Sequence, residues 1–119
     1  MSARPDPKEK AQALRQRLNL GSGYVDVFEV LRDLGIEVYR HAFPEDRLEG
    51  ALTVRDNIPF IFVNSQGALT RQRLTAAHEL GHYELGAREE GTQVLEGAIS
   101  ADGDPEEWSA FRFARRDLL

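Results

Sequence analysis

A single small α+β domain, with about four helices and a three-stranded sheet that is antiparallel or mixed, is the fold class predicted by the sequence. Three observations carry the prediction. Apolar residues recur at helical spacing in four stretches, and short alternating stretches lie between the second and the third of these. At 119 residues the chain has room for one modest core and no second domain.

Composition narrows the class further. Hydrophobic residues at 41% and charged ones at 29% are ordinary globular values, so wholesale disorder is not expected. Fifteen basic against twenty acidic residues give a net charge of −5, which argues against a general nucleic-acid surface and leaves direct DNA binding a distant third among functions. The absence of cysteine excludes disulfides, thiolate metal sites and cysteine nucleophiles, so any bound metal must be held by histidine and carboxylate. Met1-Ser2-Ala3-Arg4-Pro5-Asp6 leads into a charged stretch without an apolar leader, and no run approaches the ~18 apolar residues of a membrane span. A soluble, cytoplasmic protein is expected. There is no internal repeat or low-complexity segment.

Asp6-Pro7-Lys8-Glu9 opens the first helix, with Asp as cap, Pro at the first helical position and Glu three residues after the cap. The helix is expected to run to about Asn19, burying the thin stripe of Ala11, Leu14 and Leu18, and to end in the turn Gly21-Ser22-Gly23. Asp26 and Glu29 repeat the capping pattern for a second helix. In it Val27, Val30, Leu31 and Leu34 recur at helical spacing, and Gly35 ends it.

Residues 36–40 alternate as a strand, a loop follows around Pro44-Glu45-Asp46, and residues 51–54 and 58–63 read as two further strands. The short connector Arg55-Asp56-Asn57 makes these two an antiparallel hairpin. Pro59, with no N–H to donate, favours a sheet edge or a strand's beginning. An exposed edge suits an extended peptide, which can add to it as a further strand. His41 follows the first strand and reads as a surface-loop histidine without a metal role.

Residues 68–85 read as one helix closed by Gly86, with Leu74, Ala77, Leu80, Tyr83 and Leu85 spread around much of it. Within it stands His78-Glu79-Leu80-Gly81-His82. Histidines four residues apart leave the same face about one turn apart (~6 Å of rise), so both imidazoles can share one metal ion. Glu79, one residue after the first ligand, is placed to take a proton from a zinc-activated water. Gly81 costs roughly 1 kcal/mol against Ala in a helix interior, which points to close backbone packing beside His82.

A catalytic zinc site uses three protein ligands and keeps a fourth position for water. No His or Cys remains downstream, so the third ligand must be a carboxylate. After a loop over residues 89–103, Asp104-Pro105 starts a fourth helix, expected to bury Trp108, Phe111, Ala114 and Leu118. Glu107 is the chosen third ligand. Its alternative role is to close a capping box with Asp104, and Glu106 is the nearest substitute as ligand.

The residues 71–83, Arg-Gln-Arg-Leu-Thr-Ala-Ala-His-Glu-Leu-Gly-His-Tyr, resemble the signature helix of the ImmA/IrrE family of metallo-endopeptidases. Residues 107–114, Glu-Trp-Ser-Ala-Phe-Arg-Phe-Ala, resemble that family's second motif, whose glutamate, matching Glu107, completes the zinc site. A capped helix ending Leu-Gly-Ile-Glu-Val, a strand around Gly50-Ala51-Leu52 and a strand ending in Asn64 fit as well, so the resemblance covers almost the whole chain. It implies a small α+β domain of the gluzincin type, one zinc ion, and limited proteolysis of a helix-turn-helix transcriptional repressor as protein substrate.

The sequence-based expectation is therefore a zinc endopeptidase, with His78, His82 and Glu107 on the metal and Glu79 as catalytic base. Mn2+ or Fe2+ is compatible with the same ligand types. The alternative is a non-catalytic zinc-binding regulatory module acting through protein–protein binding. It is motivated by Phe111, where the family usually has Asn or Asp, and by family members generally continuing past Asp117-Leu118-Leu119.

Overall fold

The computed structural model describes residues 5–21, 23–43, 48–97 and 104–119. The expected turn residue Ser22, the loop around Pro44-Glu45-Asp46 and residues 98–103 of the expected long loop lie outside the described residues.

Helix α1 spans Pro7–Arg17, with the Asp6 carboxylate accepting from the Lys8 N–H. It stops two residues short of Asn19 because Asn19 turns left-handed (φ 57°), a conformation that Asn tolerates better than most residues. Helix α2 spans Val27–Asp33, capped by Asp26 through the Phe28 N–H. Gly35, at φ 75°, reverses the chain, and the Ile36 N–H returns to the Leu31 carbonyl.

Strand β1 (Glu37–His41) follows, then β2 (Gly50–Arg55) and β3 (Ile58–Asn64). The hairpin expected between β2 and β3 is present, with Arg55 opposite Ile58. Its two turn residues, Asp56 and Asn57, both have positive φ (53° and 62°), the geometry that matches strand twist in a two-residue loop. Helix α3 is Leu69–Glu84, β4 is Gln93–Glu96 and α4 is Pro105–Arg112, continued by a π-helical segment, Phe113–Leu118.

The sheet has four strands where three were expected. Its order is β1-β3-β2-β4, with β1 parallel to β3 and the other pairs antiparallel. Strand β4 lay within the expected loop, because four residues are too few to show an alternation that stands out from their surroundings. Pro59 lies at the beginning of β3 and not on an edge strand, since β3 is central. The missing N–H is tolerated there because β1 begins to pair with β3 only at Phe60.

Among the described residues, α2 and α3 lie directly against the sheet, and α1 and α4 pack on the helical layer. Helix α3 lies against β2 and β3, α2 packs on α3 and β1, and α1 packs on α4 and the π-helical segment. The core between them holds Leu14, Val30, Leu31, Leu52, Ile61, Leu80 and Phe113, all essentially without solvent exposure. Arg15 ties the chain's two ends, donating to the Gly21 and Gly23 carbonyls and, at 2.6 Å, to the Leu118 carbonyl. The opposite face of the sheet carries Tyr39 stacked on Phe62 (5.4 Å between ring centroids) and on Phe60.

One expected packing stripe is corrected. Trp108 is 57% exposed and Phe111 only half-buried, while Ala110, Phe113, Ala114 and Leu118 are buried. The face of α4 that meets α3 is the one carrying Ala110, whose Cα and carbonyl lie against Gly81, and Trp108 and Phe111 stand off that face on the same α-helix. No helix among the described residues is long and apolar enough to cross a membrane.

Candidate metal centre

Two close approaches of backbone fix the site. A Cβ on Gly81 would stand 3.0 Å from the Ala110 carbonyl oxygen and 3.1 Å from Phe113 Cδ1, so the α3 turn carrying His82 presses against α4. The close packing expected at Gly81 is thus observed. On the other side, a Cβ on Gly50 would lie 2.5 Å from Thr75 Cγ2 and 2.8 Å from the Phe62 carbonyl oxygen, which brings β2 down onto α3 one turn before Glu79. Helix α3 is held between sheet and α4 at the level of its two histidines.

His78 is fully buried and His82 nearly so. Both Nε2 atoms face the same two carboxylates. His78 Nε2 lies 2.9 Å from Glu107 Oε2 and 3.4 Å from Glu96 Oε1. His82 Nε2 lies 2.8 Å from Glu96 Oε1 and 2.9 Å from Glu107 Oε1. One potential ligand atom from each of His78, His82, Glu96 and Glu107 falls within 4.8 Å of all the others. For ligand bonds of 2.0–2.1 Å a tetrahedral shell places its donors about 3.3 Å apart, so these contacts need only a slight expansion to take an ion.

Glu107 reaches the imidazoles from the first turn of α4. The Asp104 carboxylate accepts from the Glu106 and Glu107 N–H groups, as a cap should, but Glu107 turns its own carboxylate to the histidines instead of closing a capping box. Glu106 is exposed and takes no part in the cluster. His41, at the end of β1, is exposed, stands edge-on to Phe43 and is likewise outside it.

Glu96 is the residue that sequence reasoning missed. It ends β4, opposite Gly50, and its side chain points to the helix side of the sheet. A lone glutamate in an apparent loop carries no motif. The one available signal was the pairing of an apolar Val94 with Glu96 two residues on, the spacing that puts both on one face of a strand.

The electrostatics are those of a buried site crowded with carboxylates. Burial works to lower the His78 pKa, but hydrogen bonds to Glu96 and Glu107 and their charges outweigh it and raise it. Burial works in the opposite sense on Glu96, yet bonds to both histidines and to Glu107 hold its carboxyl well below the usual range. The Glu107 carboxyl is raised, first by desolvation and then by the adjoining Glu96. Glu79 is fully buried, its two carboxylate oxygens have no hydrogen-bond partner among the described residues, and desolvation together with Glu96 and Glu107 pushes its pKa up to about 10.

Two imidazole nitrogens, two carboxylates and a third carboxyl beside them, buried apart from a partly exposed Glu107, form a donor set whose charge a divalent cation would balance. The family model described as the IrrE N-terminal-like domain, Peptidase_M78, matches residues 31–119. The chain belongs to this family. The match contains all four donor residues of the cluster together with Glu79, and it leaves α1 outside. Membership in a peptidase family agrees with a metal cluster that has a carboxyl group beside it. Among curated proteins no relative matches the chain.

Proposed function

We propose that this protein is a zinc-dependent endopeptidase that makes a limited, site-specific cut in a partner protein. The observation that supports this most directly is Glu79: a buried carboxyl with no partner, one residue from His78 and next to the donor cluster. A purely structural metal site has no need of such a group.

His78, His82 and Glu107 would hold the ion, and zinc, when bound, supplies Lewis acidity toward a scissile carbonyl and an attacking water. The remaining work falls to the chain. Desolvation and two neighbouring carboxylates raise the Glu79 pKa in the metal-free protein, and a divalent cation in the donor set would offset those carboxylate charges. Glu79, as a carboxylate, then takes the proton of the attacking water and delivers it to the departing amine nitrogen. Gly50 and Gly81 keep α3 fixed between β2 and α4, which holds Glu79 in place while the proton moves.

The partner proposed is a helix-turn-helix transcriptional repressor, on the strength of the resemblance to the ImmA/IrrE family. Mixing the purified protein with helix-turn-helix repressors from the same cell, with and without chelator, tests both statements through fragment masses. Fragments without chelator and none with it are expected; intact masses in both arms would refute the peptidase reading.

A second reading has one observation in its favour. Glu96 gives the cluster four protein donors, as in closed structural sites, which suits a non-catalytic regulator that binds its partner. A stable complex of two intact chains containing zinc would support it.

A further inference from the structure

Glu107 and Glu96 approach the same two imidazoles but are held very differently. Glu107 stands on α4, whose backbone touches α3 at Gly81 so closely that it cannot shift without collision. Glu96 stands at the end of β4, a four-residue edge strand bonded to β2 alone, with Leu95 before it 61% exposed. Edge strands with one partner open at lower cost than packed helices.

Glu96 Oε1 lies within 3.4 Å of both Nε2 atoms, so in this conformation it would take a position in the shell of an ion held by the histidines and Glu107 that a water would otherwise fill. Glu79, meanwhile, makes no hydrogen bond to any described residue. A base kept without a partner and a fourth donor on a weakly held strand fit together as parts of one device.

We infer that Glu96 is a detachable fourth ligand: with β4 seated on β2 it closes the metal centre, and release of β4 opens the centre for an attacking water. The inference rests on the zinc reading given above. It assigns β4 a regulatory role, in which an extended peptide that displaces β4 or distorts its pairing opens the centre that will cut it.

The test uses the full chain loaded with Co2+, whose visible absorption reports the coordination shell, and azide as a small anionic probe. Wild type is compared with Glu96→Ala and with the near-isosteric Glu96→Gln, circular dichroism serving to show that the variants fold. Expected are Co2+ bound in all three, a changed visible spectrum in both variants, and azide perturbing them at a concentration about tenfold or more below that needed for wild type. That factor corresponds to a wild-type centre open for at most about one tenth of the time. Spectra and azide responses identical to wild type would overturn the inference. Folded variants that bind no Co2+ would overturn it too, since Glu96 would then be an indispensable ligand. Wild type that binds no Co2+ would instead remove the metal reading on which it rests.

Discussion

Replacing Gly81 by Ala tests the architecture of the centre without touching a ligand. In an open helix this change is stabilising by about 1 kcal/mol, because Gly is the poorer helix former. Here the added methyl meets the Ala110 carbonyl oxygen at 3.0 Å, Phe113 Cδ1 at 3.1 Å and Ala110 Cα at 3.2 Å. Two of these atoms are backbone, so no rotamer change removes the contact and α4 must move by a few tenths of an ångström. Overpacking of this kind costs about 1–3 kcal/mol, which exceeds the helix gain over most of its range. The expected net loss is about 1 kcal/mol, or roughly 4 °C in Tm for a domain of this size. Because α4 carries Glu107, the displacement also reaches the donors, and metal affinity should fall by about tenfold. Thermal melts of the metal-free protein and chelator competition for Zn2+ measure the two effects separately. A Tm raised by several degrees with unchanged Zn2+ affinity would refute the reasoning, since it would mean that α3 and α4 are not in contact at this level.

Three further outcomes are expected. Asp104→Ala removes the α4 cap and should cost about 1 kcal/mol in urea unfolding while weakening Zn2+ binding, because Glu107 sits in the turn that the cap orders. Gly50→Ala should cost about 3 kcal/mol, and Thr75→Ser in the same chain should restore only part of it, since the Phe62 carbonyl oxygen remains 2.8 Å from the new methyl. Glu79→Gln should keep Zn2+ and lower any peptidase rate by about 10²–10⁴-fold. In the metal-free protein the Glu79 pKa is raised to about 10 from 4.5, so between those values the folded state binds more protons than the unfolded one. Stability then falls as pH rises, by at most about 1.4 kcal/mol per unit, and Glu79→Gln should flatten that slope in urea midpoints taken from pH 6 to 9.

The sequence made much of this molecule legible where chemistry is local. Asp6, Asp26 and Asp104 announce helix starts because their carboxylates bond N–H groups two residues on, and each does so here. His78, Glu79 and His82 are readable because a helix converts their spacing into a shared face. Glu107 was reachable by its place after a capped start, although its capping-box alternative could be set aside only once its carboxylate was seen on the histidines. What stayed hidden depends on contacts distant in sequence. Strand β4 owes its conformation to the free edge of β2, and Glu96 owes its position to β4. Trp108 was misjudged because the face that α4 turns to α3 is set by the contact of Ala110 with Gly81, which apolar spacing within α4 does not reveal.

The tie between Arg15 and the Leu118 carbonyl has a meaning for where this protein can be cut in the laboratory. The family match begins at Leu31, yet Ala11 and Leu14 lie in the same core as Phe113, Ala114 and Leu118, and α1 packs on the segment that continues the helix bearing Glu107. A fragment trimmed to the matched residues would keep all the chemistry and lose the brace behind it. Such a fragment is expected to unfold at lower urea than the full chain, because Ala11 and Leu14 would no longer cover Phe113, Ala114 and Leu118.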